Sequence, residues 1–552
     1  YIVINDVKRD ENVVDDFFGT KVSDPYRWLE DLDSNETNYF VEQQLELTKT
    51  FLDKNTQKEG IKKRLTELWN YPKITAPIKA GNRYFTFENS GLQPFYVIYV
   101  QDTLDGERRV FLDVNKLSDD GSLSLEPYKN LYDFSKDGEV FAYAVQKNGE
   151  DWKTIRFRNV STGLDLPDKL ENTKFPYLQW SPDNKGIFYT RLPGNNNSNP
   201  NISGTHIPMV YYHVLGTAQT EDILIAQFPQ HKKYYLIQSK VTDDGNYLVI
   251  SPIETFNENA VHIFSLKDGI DKTLQSKIVP VFPNATDAAY KYIGNIDSTF
   301  LFQTNKDASN FKFMTVTIDF SPRNQSEDLQ SQATLISTFL PEHPKNVINS
   351  ADIVDGKNTT VVNENTPALL WGYGGFAVSS LPSFSAKNLA FVDNFNGVYA
   401  LANIRGGGEY GKKWYDEGAK LNKQNSFDDF QAAAEYLIKN NYTSSAKLTI
   451  EGESNGGLLV GACVNQHPEL YGAAIVGVGV MDMLRINKTP VAELQRTIGG
   501  NPRQTNPLLL YVEKDAGHSS GKPVSKQIHE AAIILEFLAE NLALEFKTSE
   551  DK

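Results

Sequence analysis

The stretch that most restricts how this chain can fold is T-I-E-G-E-S-N-G-G-L-L-V-G, Thr449 to Gly461. Lys447 to Glu451 alternates apolar and polar residues and carries β-branched Thr449 and Ile450, the pattern of a short strand. Leu458 to Gln466 is mostly apolar and stops before Pro468, which predicts a buried helix. Between them Gly452, Ser454 and Gly456 stand at the spacing G-x-S-x-G. A turn this abrupt crowds the backbone, and glycine on both sides of the serine relieves the crowding. A flexible linker would not be bracketed by a strand and an apolar helix. A phosphate-binding loop would carry Lys where Leu458 stands. The spacing therefore predicts an elbow that exposes the Ser454 hydroxyl, with the following N–H aimed at whatever it attacks. A Gly-rich turn with an incidental serine fits the same letters, so the rest of the chain has to decide.

The surroundings of the elbow are a parallel α/β pattern. After about Thr366, "PALLWGYGGF" and "GVYALANIRGGGEYG" read as strands running into glycine loops, and "SFDDFQAAAEYLIKN" as a helix with Ser426 as N-cap and Asp429 three residues on. From about Tyr84 to Val354 the character is different. Short alternating runs are separated by turn residues, and a weak repeat is visible. "FSKDGEVFAYAV", "WSPDNKGIFYTR" and "VTDDGNYLVISP" each put a Ser or Thr and a turn before a strand, with Gly138, Gly186 and Gly245 as the turn glycines. That period suits four-stranded propeller blades, and a β-sandwich with recurring hairpins is the competing reading. Residues 1 to about 72 read as helical and charged.

With 552 residues, two to four domains are expected. A formal net charge of −15 leaves no basic excess to neutralise phosphates, which argues against nucleic-acid binding. No run of about 18 apolar residues is present, so no transmembrane helix is expected. One cysteine, Cys463, excludes an internal disulfide and fits a reducing compartment, and the N-x-S/T triplets are then chance. The chain starts at Tyr1 without an initiator Met or a hydrophobic leader, so it is expected to be less than the full translation product.

An exposed serine needs a base, and three histidines follow Ser454. His467 ends the helix that begins at the elbow, and His529 falls inside the terminal helix pattern. His518 sits in "EKDAGHSSGKP", a loop after the apolar run "PLLLYV" and before the last helix, where an α/β-hydrolase places its base. The acid should lie between serine and histidine, yet the segment is short by about one strand and one helix. Asp482 is at a predicted strand end and Asp515 is close to His518, and neither is assigned. For an oxyanion hole, the N–H of Asn455 is one donor and the Tyr373 hydroxyl in "WGYGGF" is a second candidate. "GGGEYG", Gly406 to Gly411, satisfies G-x-G-x-x-G, but the charged, bulky "KKWYDEGAK" after it does not open a nucleotide-binding helix. No metal-ligand spacing is present, and no cofactor is expected.

Together these residues resemble the prolyl oligopeptidase family of serine peptidases. The likeness runs through "DPYRWLED", "GLQPFYVIYVQD", "RVFLDVN", "YYHVLGT", "WGYGGF", "NIRGGGEYG", "NKQNSFDDFQAAAEYLI", "GESNGGLLVGACVNQHPELYG", "VGVMDML" and "AGHSSGKP", in order. The resemblance implies a doubly wound α/β-hydrolase domain built from residues 1–72 and 366–552, and a seven-bladed β-propeller over residues 73–355. It implies Ser454 as nucleophile, His518 as base, Asn455 and Tyr373 as oxyanion donors, and Phe376 and Val480 as walls of a proline pocket. It further implies a cytoplasmic monomer acting on short proline-containing peptides. The family's acid stretch, D-D-R-V-V-P, and its pocket tryptophan have no counterpart here. Segments are expected to be absent near 355–366 and 487–491. Oligopeptidase B is a poorer match, since Asn455 and Gly456 follow Ser454 where Ala-Gly would stand. A macrocyclase reusing the acyl-enzyme, or an inert scaffold acting by binding, would share the same letters.

Overall fold

The computed structural model describes residues 7–31, 34–128, 130–192, 208–228, 236–255, 257–271, 274–283, 288–320, 333–340, 362–481, 506–513 and 522–547. Among them, residues 73–113, 123–173, 179–226, 236–282 and 290–340 form five successive antiparallel sheets of four or five strands. Alternation within each strand gives every sheet two apolar faces, and the buried clusters run from one sheet into the next. Trp180, Phe188, Phe264 and Phe300 fill these seams completely. This is propeller packing.

The weak repeat is a recurring device. Ser135, Ser181 and Thr242 each hydrogen-bond an aspartate two residues on, at 2.6, 2.7 and 2.6 Å. Each hydroxyl also accepts from the N–H at the head of the next strand, from Val140, Gly186 and Tyr247. One reading changes: the left-handed residue of the second turn is Asn184 (φ 60°), whereas Gly138 and Gly245 hold it in the other two. Asn tolerates that conformation through its short polar side chain, so Gly186 is free to begin the strand Gly186–Arg191. Five such sheets lie among the described residues.

A buried ion cluster ties the second sheet to the third. His213 Nδ1 meets Asp222 Oδ1 at 2.7 Å and Nε2 meets Asp168 Oδ1 at 3.2 Å, with all three side chains at most 4% exposed. Tyr189 donates to Asp222 at 2.6 Å. Burial alone would lower the His213 pKa, but the hydrogen bonds and charges of Asp222 and Asp168 outweigh it and hold the imidazolium above its usual value. A raised folded pKa contributes stability that is fully present below the unfolded value, about 6.5, and lost as pH rises through the folded one. The melting-temperature advantage of wild type over His213→Gln is therefore expected to be largest below about pH 6.5 and to shrink above it, each kcal/mol being worth roughly 2–4 °C in a domain of this size. A gap independent of pH would contradict a charged His213.

The second domain has a parallel sheet in the order Val398–Ala402, Ala368–Gly372, Leu448–Glu453, Ala473–Gly477. Leu369 faces a layer made by the helices Lys58–Trp69, Ala386–Asn394 and Val524–Asn541. Its neighbours Ala368 and Leu370 face the opposite layer, made by Gln424–Lys439 and Asn455–Gln466. Helices on both faces make the sheet doubly wound. The N-terminal residues are fastened to the far end of the chain. Thr48 Oγ1 donates to the Leu510 carbonyl, Asn55 Nδ2 to Glu536 and Gln57 Nε2 to Leu544, each at 3.0 Å. Among the described residues no helix is long and apolar enough to cross a membrane.

Three local readings are corrected. The N-terminal region is not wholly helical: Val14–Phe17 and Thr20–Ser23 form a hairpin before the helices Asn35–Leu52 and Lys58–Trp69. Ser426 is not a cap, because its helix starts at Gln424 and its buried hydroxyl donates to the Arg405 and Gly418 carbonyls at 2.7 and 3.0 Å. Asp429 instead clamps the Arg405 guanidinium, at 2.8 and 2.6 Å. The run "PLLLYV" joins no ladder among the described residues. Its Leu510 packs against the Tyr26, Leu29 and Phe40 cluster. Alternation marks which side chains seek burial, but a strand also needs an adjacent strand for its backbone groups.

Candidate active site

The elbow strand Leu448–Glu453 ends one residue before Ser454, and the elbow helix Asn455–Gln466 begins one residue after it. Ser454 has φ 56° and ψ −113°, a conformation that costs a residue with a side chain on the order of 1–3 kcal/mol. Three backbone bonds hold it: its N–H donates to the Gly477 carbonyl at 2.9 Å, and its carbonyl accepts from Leu458 at 3.2 Å and Val480 at 3.3 Å. The flanking glycines are required by close approach. A Cβ on Gly452 would strike the Gly456 carbonyl, and one on Gly456 would strike the Gly372 carbonyl. The two glycines thus let strand, helix and the end of Ala368–Gly372 converge behind one hydroxyl.

The loop leaving Gly372 faces that hydroxyl. The Tyr373 phenol is hydrogen-bonded to the Ser454 side chain, and its ring stacks on Trp371 at 6.5 Å and 9°. Burial pushes the phenol up from its usual value and the Ser454 bond offsets part of that, so the group is a protonated donor at neutral pH. Buried Asn455 donates from Nδ2 to the Tyr373 carbonyl at 2.5 Å. As the first residue of its helix, its own N–H belongs to the turn that has no intrahelical partner. Phe376 follows in the same loop with φ 54° and is 48% exposed, an apolar ring offered to solvent. Half-buried Val480 is brought beside Ser454 by its backbone bond to that residue. His518, Asp482 and Asp515 lie outside the described residues. His467 ends the elbow helix beside Glu469, at 3.0 Å, and His529 is exposed on the terminal helix.

The "GGGEYG" loop has a structural role at this site. Gly406, at φ 96°, accepts from Ala377 N–H at 3.3 Å, and Gly408 donates to the Val378 carbonyl at 3.2 Å. It braces the loop that carries Tyr373 and Phe376. The residue that sequence reasoning missed is Lys423, whose Nζ donates to the Gly374 carbonyl at 2.6 Å. Only its membership of the "NKQN" stretch marked it, since a contact across 49 positions leaves no local pattern.

Residues 5–373 match the family model described as the prolyl oligopeptidase N-terminal β-propeller domain, and residues 382–506 match that of the prolyl oligopeptidase family. The chain belongs to the prolyl oligopeptidase family. A prolyl endopeptidase of Elizabethkingia meningoseptica is 33% identical over 86% of this chain and 78% of its own length. Prolyl oligopeptidase A of Amanita bisporigera is 30% identical over 96% of this chain and 92% of its own. That alignment runs over 718 positions against 552 residues here, so this family member lacks internal stretches that its relative carries. A solved prolyl endopeptidase superposes with a TM-score of 0.84 at 24% identity, over 98% of this chain and 100% of that one, which shows the two-domain fold. Membership makes the chain a serine peptidase by family, with a propeller and an α/β-hydrolase domain.

Proposed function

We propose that this protein hydrolyses short peptides on the carboxyl side of proline through an acyl-enzyme on Ser454. The observation that carries the reading is the strained Ser454 hydroxyl set against the Tyr373 phenol at the mouth of a helix. Ser454 attacks the proline carbonyl, and His518 takes its proton and returns it to the leaving amine. The Asn455 N–H and the Tyr373 hydroxyl receive the negative charge on the carbonyl oxygen. Phe376 and Val480 supply apolar walls for the proline ring. The triad acid is not assigned to any residue of this chain. Residues 1–72 and 366–552 make up the hydrolase and 73–355 the propeller, with segments absent near 355–366 and 487–491. The enzyme acts as a monomer in the cytoplasm, without cofactor. Its net charge of −15 disfavours nucleic acid.

The test compares fluorogenic Gly-Pro and Gly-Ala peptides, and a folded proline-containing protein. Losing the ring from an apolar pocket should lower kcat/KM by about 10²-fold. The folded protein should stay intact while the peptide is consumed, because the propeller domain restricts access. Equal turnover of both peptides would remove the proline assignment, and absence of any turnover would favour the inert scaffold.

A further inference from the structure

The carbonyls of Gly372, which ends the strand Ala368–Gly372, and of Tyr373 and Gly374 after it are met by the elbow and by Lys423. That of Gly372 lies against Gly452 and Gly456 of the elbow, that of Tyr373 accepts from Asn455 Nδ2 at 2.5 Å, and that of Gly374 accepts from Lys423 Nζ at 2.6 Å. Gly406 presses on the same Gly374 carbonyl from the other side, where a Cβ would not fit. Lys423 is an unfavourable residue for stability in that place. It occupies the N-cap of the helix Gln424–Lys439, the positive end of the macrodipole. Burial draws its ammonium down to about 8, and among the described residues no carboxylate pairs with it. Its ammonium also lies over the Phe427 ring of the same helix, 5.9 Å from Nζ to the centroid. A half-buried cation kept at the wrong end of a helix, with a neutral carbonyl as its acceptor, points to a role in holding that carbonyl.

We propose that Lys423 is a positioning residue for peptide hydrolysis: by fixing the Gly374 carbonyl it holds the Tyr373 phenol on the Ser454 side of the loop. The inference rests on the reading of Tyr373 as an oxyanion donor. Since Lys423 acts through Tyr373, its loss cannot cost more than the loss of that donor, about 10²–10³ in kcat. Lys423→Met is expected to lower kcat about tenfold with KM within about twofold, because the Tyr373 hydroxyl it positions acts on the charge that develops in the transition state. Lys423→Arg, which keeps a charged donor, should recover kcat to within about threefold of wild type. In the Tyr373→Phe background, Lys423→Met should change kcat by less than about twofold, since coupled groups are not additive. If Lys423→Met does not give a folded protein by thermal melting, Lys423→Gln is measured in the same two backgrounds with the same expectation. An equal loss in both backgrounds, or no loss in either, overturns the role of Lys423. An unchanged kcat in Tyr373→Phe alone overturns the oxyanion reading, and the positioning role with it.

Discussion

Ser454→Ala is expected to reduce kcat for a Gly-Pro fluorogenic peptide by at least about 10⁴-fold, with the protein still folded. Nucleophile loss in a serine hydrolase removes the covalent route entirely, and what remains comes from binding and the oxyanion donors. The geometry here supports that size of effect. The hydroxyl is carried on a residue at φ 56° in a turn whose flanking glycines, Gly452 and Gly456, have no room for a Cβ. Alanine at the same φ suffers the same backbone strain as serine, so the melting temperature should move by no more than a degree or two. Labelling by a serine-directed fluorophosphonate should be lost in parallel. A folded variant that keeps more than about a few per cent of wild-type kcat would show that another residue is the nucleophile.

Tyr373→Phe is expected to lower kcat by about 10²–10³-fold while KM stays within about threefold. The substitution keeps the ring, and so keeps its stack on Trp371 at 6.5 Å. Only the hydroxyl is removed. A donor aimed at the developing oxyanion acts most strongly when the charge is there, which is why the loss falls on kcat. Because burial raises the phenol's pKa, the donor stays protonated as pH rises, so this contribution should hold through mildly alkaline pH. Steady-state kinetics on the same peptide measure both constants. A rise in KM at constant kcat would make Tyr373 a ground-state contact only.

Much of the elbow was legible because strand, turn and helix are local. The strand read at Lys447–Glu451 is Leu448–Glu453, and the helix read from Leu458 starts at Asn455. The early start was hidden by Gly456 and Gly457, which have poor helix propensity and are there for close packing. The β-rich middle was legible from turn spacing, and the Ser/Thr–Asp turns explain why that spacing recurs. What could not be read is long-range. Nothing near Ser426 tells that its hydroxyl answers to Arg405, or near Lys423 that it reaches Gly374. "PLLLYV" has its apolar pattern without a ladder among the described residues, since pairing depends on what lies beside a strand and not on its own composition.

The fastening of the first helices to the last one also sets an order of events during synthesis. Each propeller strand finds its partner soon after it leaves the ribosome, because the five sheets are sequential. Ile61 and Leu65, buried in the finished molecule, must wait for Ile528 and Leu535. At about 5–20 residues per second, the interval is roughly 20–90 s. Ala390 and Phe391 can cover part of the apolar face of Lys58–Trp69 earlier, but the part that meets the last helix stays open to water, proteases and chaperones throughout that time. A nascent chain released before residue 524 therefore carries its propeller sheets and an N-terminal helix only partly covered, and that helix is where quality control would take hold.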